Sequence, residues 1–213
     1  MPAALYVPTN LVTAAVVVII ATRLVTPYDM GMTNWASGAR WGLAVTLVGL
    51  GLYLVAAVTP GFDELFNDRR VDGGIPRLFY EVTIRIPLGT VLLEEVAFRG
   101  ALPAVFAKRM STFRAVVYSS GLFGLWHVLP SLNLADVNPV FEGLLGTGLV
   151  GQLGGVMIAV VGTFLLGMWL CFLRYRSGSI LAPIIVHVAS NTGGYVLAFL
   201  FGGAVISTDV STR

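Results

Sequence analysis

Leu92-Leu93-Glu94-Glu95-Val96-Ala97-Phe98-Arg99-Gly100 is the stretch whose reading decides the fold. It sets three charges inside an apolar run, with Ile86 to Val91 before it and Ala101 to Phe106 after it. Charge is scarce in the chain as a whole. Only 11% of the 213 residues are charged, 56% are hydrophobic, and mean hydropathy is +0.85. A soluble domain carries about 25% charged residues, so this chain cannot cover a globular surface with polar groups. A membrane protein follows. The net charge of +2, with no basic patch interleaved with aromatics, excludes a nucleic-acid partner.

A bilayer core of ~30 Å takes about 20 apolar residues per helix. Six stretches qualify as expected spans: 5–21, 41–58, 79–106, 114–129, 144–173 and 179–201. The fifth has room for a short separate helix, and the sixth is expected to break near Gly193-Gly194. The expected fold class is all-α, a multi-pass transmembrane bundle of about six to eight helices with a polar site inside the membrane. Residues 1–78 read as N-terminal membrane helices and a polar loop, and 79–206 as the core. The loop opens at Thr59-Pro60-Gly61 and carries Asp63, Glu64, Asp68, Arg69, Arg70, Asp72 and Arg77. The stretch Leu11–Leu24 reads as a retained helix, because no basic segment precedes it. The lone cysteine, Cys171, reads as a small buried hydrophobe.

Basic residues give an orientation. Alternate connections carry Arg23 and Arg40, then Lys108, Arg109 and Arg114, then Arg174 and Arg176. The opposite side carries Arg69, Arg70, Arg77 and Arg213, diluted by acids. The first set faces the cytoplasm on this reading, and the N-terminus faces outside.

Glu94, Glu95 and Arg99 lie about a dozen residues from either end of their span, about 18 Å deep at 1.5 Å per residue. Each buried charge costs at least ~2.5 kcal/mol unless it finds a partner or a cavity. Glu95 and Arg99 are i,i+4 neighbours and can neutralise each other. Glu94 points elsewhere and is the acid left free to work as a base. Glu81 and Arg85 share the same spacing near the start of the span and read as a structural pair.

Only two histidines occur, His127 and His187, each inside an apolar run on a different span. Together with a free glutamate they point to one shared polar site. Asn191 is i+4 from His187, and Phe123 is i−4 from His127; Phe123 by itself reads as core packing. Glutamate, histidine and asparagine suit water activation and acyl chemistry. Glu94 would take a proton from water, His127 would hold that water, and His187 with Asn191 would donate to a tetrahedral oxyanion. There is no Gly-x-Ser-x-Gly elbow and no His-Glu-x-x-His helix. Glu94, His127 and His187 could instead hold zinc, with water in the fourth place and Glu95 as base or support. The residues leave both schemes open.

Taken together, Glu94-Glu95-Val96-Ala97-Phe98-Arg99, Phe123-Gly124-Leu125-Trp126-His127 and His187-Val188-Ala189-Ser190-Asn191 resemble the CAAX-processing and bacteriocin-processing (CPBP, or Abi) family of intramembrane proteases. The family pattern is Glu-Glu-x-x-x-Arg, then Phe-x-x-x-His, then His-x-x-x-Asn or Asp. Arg176 to Pro183 also looks like its lead-in to the third motif. The resemblance covers 79–201. It implies a membrane endopeptidase with Glu94 as catalytic base and His127 helping to activate water. It also implies His187 and Asn191 on the oxyanion side, and Glu95 and Arg99 in support. Implied substrates are prenylated CAAX proteins or membrane-associated peptides and bacteriocins, and the implied location is the cell membrane of a prokaryote. The family has been described both as zinc metalloproteases and as metal-independent glutamate proteases, so zinc remains open. The competing classes are a non-catalytic immunity or scaffold protein of the same fold, and a small transporter. The transporter is disfavoured because no inverted repeat is visible.

Overall fold

The computed structural model describes residues 2–59, 66, 68, 71 and 73–208, with side chains as far as 201. Most of the polar loop expected after Thr59, including Asp63, Glu64, Arg69, Arg70 and Asp72, lies outside the described residues, as does Arg213. What is described is helical, with no strand. We number eight helices: α1 (Ala3–Ala21), α2 (Trp35–Val58), α3 (75–106), α4 (Thr112–Trp126), α5 (Leu134–Val137), α6 (Pro139–Leu145), α7 (Gly148–Ser177) and α8 (Leu181–Thr208). Four are long and apolar enough to cross a membrane: α1, α2, α7 and, over Leu181–Phe201, α8. Their outward faces carry Leu47, Val55, Leu165 and Phe172, all exposed. In a bilayer such side chains meet lipid.

The expected third and fourth spans depart from that pattern for physical reasons. α3 is long but holds five charged side chains from Glu81 to Arg99. α4 has 15 residues, about 22 Å of helix, short for a crossing. The expected fifth span resolves into α7, preceded by two short helices, α5 and α6, in the stretch between the fourth and fifth expected spans. The expected break at Gly193-Gly194 does not occur: α8 is unbroken through both glycines. Neighbouring turns of the helix supply enough hydrogen bonding that two glycines alone do not end it. Arg40, expected in a connection, stands inside α2, which begins at Trp35.

α3 is not a uniform α-helix. Glu81–Val91 and Val96–Ala101 are π-helical, separated by an α-helical turn at Leu92–Glu95. Pro87 lies in the first wide segment and has no N–H to give to an ordinary α-helical ladder. Widened turns change which side chains share a face and free carbonyls for other partners. The Phe98 carbonyl, in the second wide segment, accepts a hydrogen bond from the Ser119 hydroxyl of α4 at 2.7 Å. That bond ties α4 to α3 one turn from the glutamates.

Small residues let the other helices close in. A Cβ on Gly42 would lie 2.9 Å from Ile185, and one on Gly38 would lie 2.8 Å from Ser179, so α2 runs tight against α8. On α4, a Cβ at Gly124 would meet the Val160 carbonyl of α7 at 2.8 Å. α1 is held to α3 by Tyr6 and Thr90, whose hydroxyls are 3.1 Å apart, and by the Asn10 amide donating to the Gly89 carbonyl. Ser111 caps α4, and Gly178, at φ 70°, ends α7 in the left-handed conformation that glycine adopts at little cost.

Candidate active site

The bundle converges on the middle of α3. Glu94, Glu95 and Arg99 are all buried, and Glu95 and Arg99 are fully so. Glu95 Oε1 stands 3.2 Å from an Arg99 guanidinium nitrogen. The pair is ionic, without hydrogen-bond alignment, and leaves all three Arg99 nitrogens without hydrogen-bond partners. The guanidinium instead lies over the Phe123 ring, 3.8 Å from its centroid. A ring face is attractive to a desolvated cation, so Phe123 of α4 supplies what water would supply elsewhere. Phe123 thus does more than pack the core. His127 meets it edge-on at 4.6 Å and His187 at 6.1 Å between ring centroids.

His187 reaches the site from α8 and is 4% exposed. Its Nδ1 is 2.7 Å from Glu95 Oε1. Its Nε2 faces Glu94 Oε2 at 3.8 Å. Glu95 therefore meets both Arg99 and His187 through one oxygen, while Glu94 faces the far side of the same imidazole. The Trp126 indole N–H donates to Glu94 Oε1 at 3.0 Å. The second oxygen of Glu94 is buried and has no hydrogen-bond partner. A carboxylate oriented through one oxygen and unpartnered at the other can take up a water proton.

The remaining expected residues lie at the margin. His127 is half-buried just past α4, and its Nδ1 is 2.8 Å from the Phe123 carbonyl, leaving Nε2 as its outward nitrogen. Asn191 is exposed on α8, where its Oδ1 lies 3.5 Å from the Ser190 hydroxyl. The structure brings together Glu94, Glu95, Arg99 and His187. It holds His127 through Phe123 and leaves Asn191 one turn out from His187. Trp126 is the partner that sequence reasoning missed. Trp126 is half exposed, and its one signal was its place beside His127, since an indole N–H away from water seeks an acceptor.

The expected zinc set was Glu94, His127 and His187. Among the described residues, no three His, Cys, Asp or Glu side chains are grouped closely enough to hold a metal. Cys171 is buried and free, with its sulfur 3.8 Å from the Phe98 carbonyl.

The site's side chains fall within residues 76–193, which match the family model for Rce1-like proteins, type II CAAX prenyl endopeptidase Rce1-like. The chain belongs to the Rce1-like family. That match spans more than half of the chain and contains every candidate residue from Glu94 to Asn191. No curated protein and no solved structure matches the chain. The Rce1-like family is one of CAAX-type intramembrane endopeptidases, so this member is a protease acting on a peptide or protein. With its long apolar helices it is an integral membrane protein.

Proposed function

We propose that this Rce1-like protein hydrolyses a peptide bond of a membrane-anchored substrate, with Glu94 activating the water. The observation that carries this reading is the buried Glu94 Oε2, free of hydrogen-bond partners and 3.8 Å from His187 Nε2. A water at ordinary hydrogen-bond distance from both atoms completes a triangle on that base. Glu94 accepts its proton, and the oxygen attacks the scissile carbonyl. The tetrahedral oxyanion is then met by the Nε2–H of His187 and by the amide of Asn191, which turns toward the bound chain. His127, presenting Nε2 from the margin, polarises the water or the leaving amine. The proton held by Glu94 passes to that amine as the C–N bond breaks. Glu95 fixes the ring of His187, and Arg99 offsets the charge of Glu95. Every one of these steps uses the chain's own side chains.

Prenylated CAAX proteins and lipid-associated peptides or bacteriocins are the proposed substrates, in the cell membrane of a prokaryote. An apolar cavity of about 260 Å³ between α2, α7 and α8 supports an apolar substrate. Leu50, Tyr53, Trp169 and Leu170 line it, and His187 forms part of its wall.

The test is cleavage of a quenched library of prenylated and unmodified membrane peptides by the purified protein in nanodiscs, with and without chelator. The expected result is chelator-resistant cleavage of anchored peptides by wild type and none by Glu94→Gln. Equal cleavage by Glu94→Gln would sink the mechanism. Loss of wild-type activity on chelation would replace it with a metal-dependent one.

A further inference from the structure

A second polar cavity lies at the opposite end of α3 from Glu81, where the α1–α2, α3–α4 and α7–α8 connections meet. Its volume is about 360 Å³, and Tyr28, Asn34, Lys108, Thr112, Arg174 and Tyr175 supply its hydrogen-bond donors. One carboxylate, Asp29, also lines it. Asp29 is already engaged. Its Oδ2 accepts from the backbone N–H and hydroxyl of Thr26, each at 2.9 Å, and lies 3.4 Å from the Lys108 ammonium. The Thr26 amide, then its hydroxyl, hold the Asp29 carboxyl below its ordinary value, so it stays ionised and committed to the loop.

Arg174 is the unbalanced group. It is 5% exposed, and its Nε is buried with no hydrogen-bond partner. Its NH2 donates to the main-chain carbonyl of Asp29 and not to the carboxylate, and its guanidinium sits 4.2 Å from the Tyr175 ring centroid. No carboxylate pairs with Arg174 among the described residues. Gly31, at φ 71°, brings the loop so close that a Cβ there would lie 2.9 Å from Arg174 Nε. The Asp29 carboxylate acts on Arg174 only at a distance, and a buried cation with no directly paired anion is unfavourable unless an anion comes to it. Arg23, Arg109, Arg114 and Arg176 lie in the adjoining connections and helix ends, with Asp29 as the local acid.

We infer that this cavity is a phosphate site, taking the phosphate of an anionic lipid headgroup or a free phosphate ion. Guanidinium, ammonium, phenol and amide donors converging on one opening match a tetrahedral oxyanion better than any apolar or cationic ligand. Its position at the ends of α1, α3 and α7 is headgroup depth for helices of this length. The inference does not depend on the proposed peptidase mechanism, because none of these residues enters it. The cavity is nevertheless tied to the bundle centre. The Met30 carbonyl lies 3.5 Å from where a Gly100 Cβ would stand, and the Ile180 N–H donates to the Gly31 carbonyl at 2.9 Å.

The experiment uses the full chain, delipidated in maltoside detergent, which carries no phosphate. In one arm inorganic phosphate is titrated against the melting temperature, with chloride as control. In the other, phosphatidylglycerol is added and retained lipid is counted by native mass spectrometry, with a neutral glycolipid as control. Saturable binding in either arm, weakened at least tenfold by Lys108→Glu and by Arg174→Gln, supports the site. Saturation with phosphate identifies a free-ion site, and saturation with phosphatidylglycerol alone identifies the headgroup. No saturation in either arm overturns the inference, and so does binding unchanged in Lys108→Glu. Lys108 is half exposed, so that variant remains informative even if Arg174→Gln fails to fold.

Discussion

Glu94 and Glu95 are neighbours in sequence and answer to different partners. Glu95 meets both Arg99 and His187 through Oε1, whereas Glu94 takes the Trp126 N–H on Oε1 and faces His187 Nε2 with Oε2; the second oxygen of each is buried without a hydrogen-bond partner. Removing the charge of Glu95 leaves Arg99 buried with the Phe123 ring alone. Glu95→Gln is therefore expected to destabilise the protein by roughly 3–5 kcal/mol, read as a lowered melting temperature, and to lose activity through a misoriented His187. Trp126→Phe keeps an aromatic ring at the position and deletes the donor. One hydrogen bond to a charged group contributes about 1.5 kcal/mol, so turnover should fall about tenfold with little change in melting temperature. The two glutamates, Arg99 and the histidines were legible because charged or titratable groups in apolar runs are anomalies that demand partners. Trp126 was not, since an exposed-looking aromatic at a helix end is ordinary in membrane proteins. For Asn191 the i+4 spacing identified a shared helix face, but spacing does not say how far along that face neighbouring helices still cover it.

At the scale of elements, close approach decides the geometry. α8 carries His187, and its position depends on α2, which meets it through Gly38 and Gly42. Gly42→Leu would drive a branched side chain into Ile185 and the Ala182 carbonyl. The expected cost is about 1–3 kcal/mol of stability, with turnover falling as α8 is displaced, while Gly51→Leu, which faces open space, leaves both unchanged. Thermal melts and cleavage rates of the two variants side by side check this. The Gly-x-x-x-Gly spacing at 38–42 was visible in the sequence, and its physical meaning, backbone contact between helices, is that of membrane packing generally. The π-helical widening of α3 was less accessible. Pro87 marks a ladder defect, but the choice between a kink, a break and a wide turn depends on the neighbours that accept the freed groups, such as Ser119 at the Phe98 carbonyl.

For the whole molecule, hydropathy identified an all-helical membrane bundle, and the departures came from α3 and α4, where charge and shortness replace the simple span. Orientation remains a matter of the basic connections. In a Cys171→Ser background, Arg109→Cys should react with an impermeant maleimide only from the cytoplasmic side of inverted vesicles, and Thr147→Cys only from the other; both positions are exposed. The opposite labelling would reverse the topology and leave the site chemistry untouched. The central claim is the division of work between the adjacent acids, and the single-turnover cleavage rate of Glu94→Gln against wild type in the same nanodiscs tests it most directly. The account predicts a rate lowered by about 10²–10⁴-fold, the usual contribution of a general base, at a melting temperature close to that of wild type. A wild-type rate in a folded Glu94→Gln protein would contradict it.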